Sequence, residues 1–301
     1  MTASPFSRRK ALGALALGGL GAGAAACAAP APQVFPAWDL ADKVVANRAK
    51  VKMIGNIAGG RVFSFMRMNI YGDANTGPYT PLFTMNNLII DDWTVEGDTF
   101  VMKKYEAGVK TRFDSFEVIK TLENPFTKEQ IDLFPFLLGP ITREYTPDGV
   151  KAMALAPQAL PLEQIGDRLF YASQSIGVAP SMIRPEEYPA ESPGNEIFLN
   201  SFMTYSALAQ DVFNPEITSA AVHMQIQNKF NWPPWMKMGQ RPGGTVARGF
   251  GSKIASLEAL PKPILDGFRE VTPKILDVDK WEGLNMETID YLRFLRGEAP
   301  M

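Results

Sequence analysis

The sequence predicts a mainly β protein in which antiparallel strands close into a barrel or a strongly curved sheet, with helices near both ends. Three observations carry that expectation. Runs of β-branched and aromatic residues recur along most of the chain, and Gly, Asn or Asp closes each of them. Apolar residues fall at helical spacing only near the start of the folded region and after about residue 262.

Taken in order, a Pro/Ala tether from Ala28 to Pro36 leads into a helix expected over Asp39 to Arg48. Strands are then expected over Val51–Ile57, Arg61–Tyr71, Leu82–Trp93, Thr99–Tyr105 and Thr111–Val118, punctuated by Gly59-Gly60, Gly72-Asp73 and Gly97-Asp98. Ile141–Tyr145 and Val150–Ala156 flank the hairpin signal Pro147-Asp148-Gly149. Further strands are expected over Arg168–Gly177, Glu196–Tyr205, Ala220–Phe230 and Thr245–Gly251. So many strands in one domain favour a barrel or a strongly curved, calycin-like sheet, because open edges invite aggregation. Helices return at Pro263–Val271 and Glu287–Arg296, the second stopped by Gly297.

The start of the chain carries an address. Ser7-Arg8-Arg9-Lys10 precedes an uncharged Ala/Gly-rich run from Ala11 to Ala26, the pattern of a twin-arginine export signal. That run is too short and too rich in glycine to span a membrane. Cys27, the single cysteine, stands where a lipoprotein signal is cut and its thiol acylated, although Ala24 replaces the usual large aliphatic residue. The expected layout is a signal at 1–26, a tether at 27–37 and one domain at 38–301. The translocase is the partner during export, and the mature protein is periplasmic, either free or anchored through Cys27. Losing Arg8, Arg9 and Lys10 takes the formal net charge from -2 to about -5, which argues against nucleic acid as a partner. One cysteine also leaves no internal disulfide, so the core must supply the stability.

Absent motifs narrow the chemistry. A single histidine, His223, and a single cysteine exclude His/Cys zinc clusters and HExxH helices. Asp277-Val278-Asp279 fails as a calcium loop, since Trp281 and Glu282 occupy positions that need a ligand and a glycine. No GxSxG elbow, dinucleotide fingerprint or Walker loop is present, so no cofactor and no metal is expected. His223 alternates with Val222, Met224 and Ile226 and shares the polar parity of Gln225 and Gln227.

Candidate site residues come from interleaved rings and charges. In Arg61–Tyr71, alternation gathers Phe63, Phe65, Arg67, Asn69 and Tyr71 on one face, as expected for a barrel wall lining a partly polar pocket. The alternative is Arg67 paired with a carboxylate on a solvated face. Thr111–Val118 offers Arg112, Asp114 and Phe116 on one side, a complement in which Asp114 could serve as a base. Trp232-Pro233-Pro234-Trp235 is stiff and presents two large rings beside the thioethers of Met236 and Met238. It reads either as the rim or floor of an apolar pocket or as a plug at one barrel end. Arg241 follows as a candidate ligand for an anionic oxygen.

The run from Asn231 to Gly243, with Lys253, Leu260-Pro261, the segment from Trp281 to Phe294, Tyr71, Trp93 and the turn Glu123-Asn124-Pro125-Phe126-Thr127, resembles the DUF1838 family over roughly Val51 to Phe294. The family has no settled activity, so the resemblance implies a fold and not a mechanism. Some members carry a histidine where this chain has Arg248 and another near Phe134-Pro135-Phe136, which counts against a histidine-based mechanism here.

The functional expectation is an exported, cofactor-independent lyase or isomerase acting on a small apolar or aromatic molecule. Asp114 or Tyr71 is the expected base, with Arg67 or Arg241 holding an anionic oxygen. Phe65, Asn69, Arg112, Trp232, Trp235 and Met238 are expected to line the pocket. The alternative is a non-catalytic envelope lipoprotein that carries or senses a hydrophobic ligand.

Overall fold

A computed structural model describes residues 38–152 and 158–299, and only the backbone of Ala159. The expected export signal, Cys27 and the tether lie outside these residues. Helix α1 (Lys43–Ile54) is capped by Asp42, whose carboxylate accepts from the amides of Val44 at 2.8 Å and Val45 at 3.2 Å. It therefore takes up the start of the segment whose composition suggests a strand at Val51–Ile57. Val51, Met53 and Ile54 are buried against the sheet from helical positions, and that burial outweighs β propensity.

The meander β1 (Gly60–Asp73), β2 (Thr80–Glu96) and β3 (Thr99–Thr111) follows the expected strands. Thr111–Val118 is not a strand but a closed loop, joined at its ends by a Thr111–Val118 bridge and inside by the Arg112 amide on the Glu117 carbonyl at 2.9 Å. β3 already has β2 on one edge and β6 (Phe136–Thr146) on the other, so a further strand has no ladder to join there. A small separate hairpin, β4 (Thr121–Glu123) and β5 (Gln130–Asp132), carries the Asn124-Pro125-Phe126 turn. β7 (Gly149–Ala152), β8 (Gln158–Ala159) and β9 (Glu163–Ile165) are short. β10 (Arg168–Pro180), β11 (Glu196–Leu208), α2 (Ala209–Phe213), β12 (His223–Phe230) and β13 (Gly244–Ile254) complete the main run. Helix α3 (Lys262–Val271), the two-residue β14 (Asn285–Met286) and helix α4 (Glu287–Leu295) end it.

The strands hydrogen-bond in the order β14-β6-β3-β2-β1-β13-β12-β11-β10-β8, with β7 on β6 and β9 on β10. Each pairing is antiparallel, and the sheet curls into a half-barrel. The curl is tight at β1 and β13. A Cβ on Gly251 would lie 2.3 Å from the Phe65 carbonyl oxygen and 2.6 Å from Met66 Cγ, so Met66 occupies the space above this glycine.

Three layers enclose the sheet. α1 closes one end of the concave face, packing Val51 and Met53 with Trp93, Phe100, Tyr145, Leu169 and Tyr171. The segment around Trp232–Met238 and helix α4 close the other end over Met68, Ile70 and Phe83. On the convex side, α3 covers β2 and β3 through Ile264 and Phe268 against Leu88, Ile90, Ala107 and Val109. Between the two plugs lies a smaller patch of Met66, Ile89, Val222 and Met224.

Candidate functional site

The concave face between the plugs collects charges. Alternation along β3 points Tyr105, Ala107 and Val109 toward α3, which leaves Lys104, Glu106 and Lys110 facing the inside of the curl. β2 adds Asn87 and Asp91 on the same side, while Asp92 turns outward to Arg61 at 2.7 Å. Lys104 Nζ sits 2.7 Å from Glu106 Oε2, and the Asn87 amide donates to the other carboxylate oxygen. Arg143 and Tyr145 come from β6, Tyr171 from β10, Tyr205 from β11 and Lys253 from β13. Tyr145 takes a hydrogen bond from Arg143 and packs on Trp93 with ring centroids 5.4 Å apart. Tyr171 and Tyr205 stack at 5.7 Å, and the Tyr205 hydroxyl donates to Met203 Sδ.

Several of these groups are enclosed without a protein partner: Asp91 Oδ1, Asn87 Oδ1 and Arg143 Nε. Asp91 is only 6% exposed. A bare carboxylate there costs several kcal/mol of solvation, and it responds by holding its proton. Burial pushes the Asp91 carboxyl up to about 7; Lys104, Arg143 and Lys253 oppose the rise and Glu106 adds to it. Burial also pushes Lys253 down to about 7, against the pull of Asp91. The hydroxyls of Tyr145, Tyr171 and Tyr205 are enclosed, which raises their pKa values, so each stays a phenol that can donate. Ser173, Ser175, Ser201 and Met203, on the same face of β10 and β11, are half-buried. The result is an acid–base group at neutral poise beside donors suited to an oxygen that gains negative charge.

The residues singled out in the sequence lie elsewhere. Phe65, Arg67, Asn69 and Tyr71 do share one face of β1, but it is the convex one. Arg67 donates to the Ser115 carbonyl at 3.3 Å and lies 4.4 Å over the Phe116 ring, which fastens the 112–118 loop to the sheet. Tyr71 packs on Phe113 at 5.2 Å, Asn69 accepts from Thr84 at 3.0 Å, and Phe65 joins the apolar layer under α3. Asp114 is exposed in that loop, and Arg112 is exposed and paired with Glu117 at 2.7 Å. His223 lies on the solvated side with Gln225 and Gln227, as its parity predicts. Trp232, Trp235 and Met238 are buried and plug one barrel end. Arg241 is exposed; its carbonyl, not its guanidinium, is used, accepting from Trp232 Nε1 at 3.1 Å. Asp114→Ala and Arg241→Ala are accordingly expected to change unfolding free energy by no more than about 0.5 kcal/mol in urea titrations. A loss several times larger would show that these side chains hold more than solvent.

Sequence reasoning missed Asp91, Arg143, Tyr145, Tyr171 and Tyr205. A signal was present in β3, where Lys104 and Glu106 alternate with the apolar Tyr105 and Ala107.

A family model described as "Protein of unknown function (DUF1838)" matches residues 61–294. The chain belongs to the DUF1838 family. No curated protein matches it. The segments that carry the family resemblance meet in the fold: Asn124 of the turn donates to the Met236 carbonyl at 2.9 Å, and Phe126 packs edge-on against Trp232 at 5.0 Å. Lys253, from the same signature, reaches the charged concave face instead.

Proposed function

We propose that this DUF1838 protein is a cofactor-independent acid–base catalyst of the lyase or isomerase kind. Its substrate is a small apolar or aromatic molecule bearing a carbonyl or phenolic oxygen, bound on the concave face of the half-barrel. One observation carries the reading: a buried carboxyl, Asp91, poised at about 7 with an oxygen that meets no protein donor, beside Arg143 and Tyr145. In its ionised form Asp91 takes a proton from carbon next to the substrate carbonyl. The C–H electron pair moves into the carbonyl, and the resulting enolate oxygen is held by Arg143 and Tyr145. Asp91, now protonated, returns the proton to a different carbon, or assists departure of a leaving group. A carboxyl whose two forms coexist near neutrality can do both. The proposal includes export under the Ser7-Arg8-Arg9-Lys10 signal, with Cys27 as the site of acylation.

The test is a panel of small cyclic ketones, lactones and phenols offered in D2O, with deuterium uptake into each followed by proton NMR. At least one is expected to exchange, and Tyr145→Phe is expected to slow that exchange about 10-fold or more while leaving the fold intact. Tight binding without exchange across the panel would favour a carrier over a catalyst.

A further inference from the structure

Lys253 Nζ lies within hydrogen-bond distance of four oxygens that share its three hydrogens: the carbonyls of Lys52 at 2.8 Å, Gly55 at 2.8 Å and Ala220 at 3.2 Å, and the Ser219 hydroxyl at 2.9 Å. Lys52 and Gly55 stand at the C-terminal end of α1, where carbonyls lack helical partners and carry the negative end of the helix dipole. Ser219 and Ala220 belong to the segment that packs against that end; the Ala220 amide donates to the Lys52 carbonyl at 2.9 Å, and the Ile57 amide to the Thr218 carbonyl at 2.9 Å. One ammonium thus ties β13, α1 and the 218–220 segment together.

A lysine there has a further effect because of what faces it. Asp91 is the anion that acts on Lys253, from β2. β1 places Ser64 opposite Lys253 in register, and β12 and residues 219–222 bring no charge to it. α1 brings cations, Arg48 and Lys52, and the Lys52 ammonium turns aside to the Asn214 carbonyl at 2.7 Å. With its hydrogens committed to four oxygens, Lys253 does not form a contact ion pair with Asp91. When protonated it acts on Asp91 at a distance, and it leaves Asp91 Oδ1 free.

We propose that Lys253 is the positioning residue of this site, linking the docking of helix α1 to the proton affinity of Asp91. The inference rests on the reading of Asp91 as the acid–base group. Its readouts are titration and hydrogen exchange, so a protein that shows the link and catalyses nothing would overturn the catalytic reading alone.

The experiment follows the Asp91 carboxyl by infrared difference spectroscopy, its band identified by loss in Asp91→Asn. Lys253→Met is expected to raise the Asp91 midpoint, because a favourable charge has gone. Lys253→Arg, which keeps the charge, is expected to restore most of that shift. In Lys253→Met the amides of residues 51–57 are expected to lose protection about 10-fold or more. A loosened α1 with an unmoved Asp91 midpoint overturns the proposal and leaves Lys253 a purely structural tie. Should Lys253→Met not fold, the near-isosteric Asp91→Asn provides the reciprocal test. Losing the carboxylate weakens proton binding by Lys253, so protection of residues 51–57 is expected to fall below wild type at about pH 7, where both groups titrate, and to match it at about pH 9, where Lys253 is neutral in both proteins. Equal protection at both pH values overturns the proposal.

Discussion

Asp91→Asn is expected to cut turnover by about 10^2 to 10^4-fold, the usual contribution of a general acid–base group, and at the same time to stabilise the fold above neutral pH. The second effect follows from linkage. The Asp91 pKa is raised on folding, from 3.8 to about 7, so the folded chain binds this proton more tightly than the unfolded chain. Stability associated with the proton is complete below about pH 4, is lost as pH climbs toward 7 and stays lost above it. A shift of that size corresponds to about 4 kcal/mol. Asparagine keeps the shape and never ionises, so the variant should match wild type near pH 4 and exceed it at pH 8. Lys253 works in the opposite sense: its pKa is lowered, so its contribution is complete above about 10.4 and declines as pH falls toward 7. Loss of its Asp91 partner trims the gain without reversing it, because burial is the larger cause in both groups. Urea titrations at pH 4, 6 and 8 measure the difference. A variant less stable than wild type at pH 8 would contradict the account of Asp91 as a solvation-starved carboxyl.

Trp235→Ala is expected to cost about 3–5 kcal/mol, near the total stability of many domains. The ring lies 6.0 Å from Phe83 and 5.1 Å from the Lys110 ammonium, and its Nε1 donates to Glu287 Oε1 at 3.0 Å. Lys110 is 3% exposed, bonded to the Phe134 carbonyl and 3.8 Å from Glu287. Burial pushes the Glu287 carboxyl up and the Lys110 ammonium down, so each charged form depends on the other and on the tryptophan. Removing the indole opens a cavity and withdraws a donor from a buried acid. Trp235→Phe keeps a six-membered ring in the plug but loses the pyrrole edge with its N–H, and should cost less, about 1–3 kcal/mol. If alanine at this position costs less than about 1 kcal/mol, the plug formed by α4 and the Trp232–Met238 segment does not close the barrel end as described.

The strands were legible in the sequence because period-two alternation and glycine punctuation are local properties. β1, β2, β10, β11 and β13 lie where composition placed them, and the helices after 262 agree to within a few residues. The site was not legible, because which side of a sheet is enclosed is decided by closure between distant strands. On β1 both faces carry apolar residues, and alternation could not say that Met66 faces inward and Arg67 outward. Asp91-Asp92 reads as an acidic strand end; the curl places one carboxylate inside and the other on Arg61. Thr111–Val118 has strand composition but no free edge to pair with, a fact that resides in β6. Lys253 was visible in the family signature, yet its role depends on carbonyls roughly two hundred residues earlier in the chain.

The hydrogen bond from Tyr205 to Met203 makes this part of the concave face sensitive to oxidation. A thioether is a weak acceptor, so it holds the phenol loosely. Peroxide or hypochlorous acid would convert half-buried Met203 to a sulfoxide, whose oxygen is a strong acceptor. Tyr205 would then be held by its own wall, and this face would age by losing a free donor while every strand around it stayed in place.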